Sequence, residues 1–122
     1  MQYLCLVYVE ERTFDEMSER DGQRLTNENI DHDEDLRRRG HLIHAVPLHP
    51  VTAATTIRMR NGKISTTDGP FAETKEHLGG FVLIEARDLS EAIQIATKMP
   101  MARIGSIEVR PVMSLERTDL GE

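Results

Sequence analysis

The amino-acid sequence predicts an α+β protein of ferredoxin-like architecture, an antiparallel sheet with two helices on one face and an additional hairpin. Three observations carry this expectation. Short apolar runs of strand length open and close the folded part of the chain, YLCLVYVE and GSIEVRPVM. Two segments of helical periodicity each stand between strand-like runs. Between them, ATTIRMR and KISTT alternate in polarity around Asn61-Gly62, the residue pair that suits a type I′ hairpin turn. The resulting order is strand, helix, strand, hairpin, loop, strand, helix, strand, a split βαβ arrangement around one sheet.

Each element has its own signature. The opening run is apolar on both alternating faces, with Tyr3, Cys5 and Val7 on one and Leu4, Leu6 and Tyr8 on the other. That pattern belongs to a strand buried on both sides. RTFDEM reads as a polar connection. From Ser18 a strongly charged helix runs to Gly40, with basic Arg37, Arg38 and Arg39 at its end, where they suit the helix dipole. HLIHAVPL is the second strand, closed by His49-Pro50. GFVLIEAR follows the loop as another apolar strand. LSEAIQIATKM is an amphipathic helix with Ser90 as the expected N-cap and Pro100 just beyond its end. The domain spans residues 1–113, and SLERTDLGE, residues 114–122, lacks a core-forming pattern and reads as a loosely held tail. Two helices cover only one face of a sheet, so strands apolar on both faces call for a partner, most economically a homodimer packed sheet against sheet.

Composition narrows the function classes. A chain of 122 residues is one domain by size and buries roughly two-thirds of its unfolded surface. A net charge of −6 gives no electrostatic invitation to nucleic acid or an anionic membrane. No apolar run approaches the roughly 18 residues of a membrane span. The chain starts on a strand pattern without a basic leader, and its single cysteine excludes an intrachain disulfide, so the expected location is cytoplasmic. No nucleophile elbow, phosphate loop, dinucleotide fingerprint or ordinary metal spacing is present, and no cofactor or metal is expected.

Two places concentrate chemistry. At about 100° per residue, Leu25, Asn29, His32 and Leu36 fall in one stripe of the first helix, the side that should meet the sheet. Two polar residues in an apolar stripe either bond locally or line a cavity. In the second case His32, with an ordinary pKa near neutrality, suits general acid or base work. Arg58 and Arg60 share one face of the third strand, and Glu108 and Arg110 one face of the last. Such charges form a solvated face or, at a cleft, hold an anionic ligand.

The second place is DGPFAETKEHLGGF, residues 68–81. Asp68-Gly69-Pro70 is turn chemistry, Phe71 is the expected plug into the core, and residues 72–78 can form one helical turn. Glu73 and Lys75 are not demanded by any turn. This segment, with YLCLVYVE, LRRRGHL, TTIRMRNGK and IGSIEVRPV, resembles the DGPF branch of the YCII-related family over residues 2–113. The resemblance implies a dimeric α+β barrel of ferredoxin-like type. It further implies enzyme-like proteins in which a His–Asp pair has been proposed as the working groups, and a fold like that of muconolactone isomerase. One relative is a dehydrochlorinase of chloroaromatic breakdown. Branch members often sit beside genes for extracytoplasmic-function sigma factors.

Asp68 matches the motif's Asp, and Glu73 and Lys75 match as well. Measured back from Leu36, the family's helix histidine position is Asn29 here, and His32 lies almost a turn later on the same side. The function expected from residues and resemblance together is a small dimeric cofactor-free protein. It would perform acid–base chemistry, of lyase or isomerase type, on a small anionic or aromatic metabolite. His32 and Asp68 are the expected catalytic pair, and Asn29, Arg58, Glu73 and Lys75 the ligand-binding residues. The alternative is a non-catalytic ligand-binding or regulatory module associated with an extracytoplasmic-function sigma factor.

Overall fold

The computed structural model describes residues 1–121. Four strands, β1 (Gln2–Val9), β2 (Leu42–Pro47), β5 (His77–Glu85) and β6 (Ser106–Pro111), form one antiparallel sheet in the order β2-β5-β1-β6. The helices are α1 (Arg12–Asp15), α2 (Glu19–Arg38) and α3 (Leu89–Thr97). Among the described residues, strands β3 (Thr55–Arg60) and β4 (Lys63–Asp68) pair only with each other. The architecture is the expected α+β one, consistent with a ferredoxin-like fold.

The central strand explains the layering. Along β1 every second residue, Tyr3, Cys5, Val7 and Val9, is buried, while Leu4, Leu6 and Tyr8 between them are only half-buried. Of this set Tyr3 and Cys5 join Ile84, Ala92, Ile95, Ala96, Met99 and Leu36 in the core under the helices. Register places Leu4 beside Leu83 and Arg110, Leu6 beside Phe81 and Glu108, and Tyr8 beside Leu78 and Ser106. The opposite face is therefore apolar in the middle, charged along β6, and uncovered by any helix. Cys5 sits at 0% exposure, and burial pushes its thiol up to about 11, which keeps it protonated and inert at neutral pH.

Local chemistry fixes the helix ends. The Ser18 hydroxyl accepts from the Asp21 N–H at 3.1 Å to start α2. At its far end the Gly40 N–H reaches the Arg37 carbonyl and the His41 N–H reaches that of Leu36, a Schellman pair. The α3 cap is Asp88 rather than the expected Ser90. Its carboxylate accepts from the Glu91 N–H at 2.9 Å, while Glu91 reaches back to the Arg87 N–H at 3.0 Å. Asp88 directly precedes the first helical residue, Leu89, whereas the Ser90 hydroxyl already lies inside the first turn. RTFDEM, read as a connection, contains the single turn α1, and residues 100–103 add a 3-10 turn after α3.

The hairpin turn is as expected, with Asn61 at φ 53° and Gly62 at φ 74°, the positive pair a type I′ turn requires. The loop after it departs from expectation twice. Phe71 is 75% exposed and plugs nothing; the loop is held instead through its backbone, by the Arg58 guanidinium donating to the Phe71 carbonyl at 3.0 Å. Residues 72–78 form no helical turn. Thr74 donates to the Glu76 carbonyl at 2.6 Å, and pairing of β5 with β1 begins at His77, opposite Val9, so the ladder extends the chain before a turn can close.

Candidate functional site

The stripe on α2 is where the structure places its perturbed polar groups. Leu25, Asn29 and His32 are half-buried and Leu36 is fully buried, so this side of the helix does face the protein. The Asn29 amide donates to the Met101 sulfur at 3.5 Å, tying α2 to the 3-10 turn. On the adjacent residue, Glu28 pairs with Arg103 of that 3-10 turn. The notch is thus clamped against residues 100–103 by one weak hydrogen bond and one partly exposed ion pair.

His32 makes no hydrogen bond among the described residues, although its ring is half-buried. Desolvation lowers its pKa from the ordinary 6.5, opposed by the negative charges of Asp33 and Asp35 and assisted by Arg39. Next to it Asp33 is pushed the other way. Burial raises its carboxyl from 3.8, against the pull of His32 and Arg37. A base shifted down and an acid shifted up, on adjacent residues, is the combination from which acid–base sites are built.

Asp33 was missed in the sequence because the stripe was traced through His32. The steps from Asn29 to Asp33 and from Asp33 to Leu36 are also four and three residues, so widening the stripe by one position finds it.

The other expected residues lie elsewhere. Asp68 ends β4, opposite Thr55, and is exposed. No hydrogen bond or ion pair joins it to His32 among the described residues, and the charges acting on His32 are those of α2 itself. Glu73 and Lys75 are exposed and have no ion-pair partner among the described residues. Arg58 is engaged with the loop carbonyl of Phe71. Two polar groups therefore exist, one in the notch of α2 and one on the loop following the hairpin, and the chain itself does not bring them together. No cluster of metal-ligating side chains occurs among the described residues.

Two surface grooves accompany these elements. One, of about 430 Å³, runs between α3, the 3-10 turn and β6, lined by Ile93, Ala96, Thr97, Gly105, Ile107 and Val109 among others. The second, of about 250 Å³, lies at Met1, His41 and Glu85. Neither includes Asn29, His32 or Asp68, so neither is a cavity lined by the notch. No helix of the described residues is long and apolar enough to cross a membrane.

The YCII-related domain matches residues 1–116. An uncharacterised protein of Rhizobium meliloti (strain 1021), R00369, is 37% identical over 114 residues, with 92% of each chain covered. On these grounds the chain belongs to the YCII-related domain family.

Proposed function

We propose that this chain acts as a homodimer, packed through the open face of its sheet, that binds a small anionic or aromatic metabolite and performs cofactor-free acid–base chemistry on it. The observation that carries this reading is His32, a half-buried imidazole without a hydrogen bond, beside a carboxyl raised by burial. No buried side-chain nitrogen is left without a partner among the described residues, so the half-buried ring keeps its nitrogens within reach of solvent or a ligand. It offers both to a ligand. The supporting observation for the dimer is the row of half-buried Leu4, Leu6, Tyr8, Phe81 and Leu83, which no helix covers.

In this reading His32 moves the proton and Asp33 keeps the ring basic enough to accept it. Asn29 orients the ligand. Asp68, Glu73 and Lys75 meet the ligand from the loop that Arg58 holds in place. The pairing of His32 with Asp68 implied by the family resemblance requires this loop to approach α2 when ligand is present. Placement in the DGPF branch rests on DGPFAETKEHLGGF at residues 68–81.

Benzoate, a small aromatic anion, is a direct probe. Titrated into labelled protein, it should shift the His32 ring and Asn29 amide signals, and His32→Ala should abolish the response at Asn29 while leaving the melting temperature within a few degrees. Shifts confined to the residue 68–76 loop, unchanged by His32→Ala, would remove the notch from the site. Saturable binding without turnover of any small acid would favour the regulatory alternative, with a sigma factor as its partner.

A further inference from the structure

The strand β6 is a sheet edge whose outer side is self-complementary. The order β2-β5-β1-β6 leaves one side of β6 without a neighbour among the described residues. The Val112 N–H bonds to the Gln2 carbonyl at 2.9 Å, which sets the phase of the β1–β6 ladder. Because inward and outward bonding alternate along an antiparallel strand, Ser106, Glu108 and Arg110 direct their backbone groups to β1. Ile107 and Val109 direct theirs outward. These outward amides have no backbone partner among the described residues, and the tail after Val112 does not turn back to meet them. An unprotected edge of this kind is a template for another strand.

We propose that β6 pairs antiparallel with β6 of a second copy, about a two-fold axis at Val109, to form one sheet continuous through both copies. Three features of the strand fit this occupant. In this register Val109 faces its own copy as a hydrogen-bonded pair, as its outward phase requires. Ile107 faces Pro111, which lacks an N–H but offers its carbonyl to the Ile107 amide. Glu108 faces Arg110 twice, once on each side of the axis, and directly opposite residues of opposite charge attract across a ladder. Neither side chain has an ion-pair partner within the chain among the described residues.

The groove beside the strand adds apolar area to the same contact. Ile107 and Val109 form its floor, Ala96 and half-exposed Ile93 its wall, and the symmetry lays the second copy's Ile107 and Val109 alongside it. A self-complementary patch meeting itself is what a two-fold interface demands. This contact uses the edge of the sheet, not its open face, and stands or falls independently of the packing in the proposed function.

Charge reversal tests it. Light scattering across a dilution series would compare the full chain with Glu108→Arg, Arg110→Glu and the double variant. Each single reversal sets like charges opposite each other twice, so the mass should fall by half at dilutions where the unmodified protein is intact. The double variant restores opposite charges and should recover the full mass. If the open-face packing also holds, the fall is from four copies to two; if it does not, from two to one. Glu108 and Arg110 also lie on the open face, so a halving supports the edge pairing when the Ile107 and Val109 amides are slow before it and fast after it. A halving with these amides already fast in the unmodified protein belongs to the open-face packing and overturns the pairing. Single variants with unchanged mass, or a double variant that fails to recover, would overturn it. Circular dichroism confirms the fold of each variant, and hydrogen exchange adds a second readout: the Ile107 and Val109 amides should be slow in the unmodified protein and fast in Glu108→Arg.

Discussion

The central sheet and the β3–β4 hairpin are written in nearly the same pattern of alternating residues, and they end in opposite environments. In β1 the alternation separates a buried set from a half-buried set. In the hairpin Ile57, Met59 and Ile64 occupy one face and are each at least 60% exposed, while Arg58, Arg60 and Lys63 occupy the other. Both segments form strands, because alternation and turn chemistry are local. What covers a strand is not local, and it is decided by which helices the chain can fold back onto each face. The hairpin lies outside the four-stranded sheet and has no helix of its own.

This contrast can be broken or sharpened by substitution. The largest difference is expected between Ile84→Ala and Ile64→Ala. Ile84 is fully buried in the core, so truncation should cost about 2–5 kcal/mol in denaturant unfolding. Ile64 on the hairpin should change stability by about 0.5 kcal/mol or less. A large loss at Ile64 would mean that the hairpin face is covered in solution.

The glycines offer a second pair. At Gly105, where the chain enters β6, a Cβ would overlap the Tyr8 carbonyl oxygen, so Gly105→Ala should cost about 1–3 kcal/mol by forcing the β1–β6 backbones apart. At Gly62 there is open space, and only the positive φ resists a side chain, so Gly62→Ala should cost about 1 kcal/mol. Equal costs would indicate that the sheet edge yields as readily as the hairpin.

The smallest expected effect is on pH dependence. His32 has a folded-state pKa below its unfolded 6.5, so the folded state binds the proton more weakly. Its neutral form contributes stability that is fully present above 6.5 and is lost as pH falls below that value, until the folded-state pKa is passed. Relative to His32→Gln, the unmodified protein should therefore lose a little stability on mild acidification. Asp33 has the opposite sign. Its raised carboxyl is penalised while ionised, and stability returns as pH falls through its folded-state pKa toward 3.8. Because both groups are half-exposed, solvent screens both effects.

The same division between local and non-local governs what could be read from the sequence. The order of strands and helices, the extent of α2 and the Asn61-Gly62 turn were legible because periodicity and turn residues act over a few positions. The polar stripe of α2 was legible for the same reason, apart from Asp33 one position away. The fate of Phe71 was not. A phenylalanine between a Gly-Pro turn and a polar loop looks like an anchor, yet Arg58 holds this loop through a backbone carbonyl, a contact with no sequence signature. The expected meeting of His32 and Asp68 is non-local too, since it depends on how the loop after β4 lies against α2.

The most direct test of the account is an NMR titration of the His32 ring in the unmodified protein, Asp33→Asn and Asp68→Asn. The midpoint should lie below 6.5, fall further when Asp33 loses its charge and stay unmoved by Asp68→Asn. A midpoint at the ordinary value, indifferent to Asp33→Asn, would contradict it and leave the notch of α2 a structural feature without a titrating site.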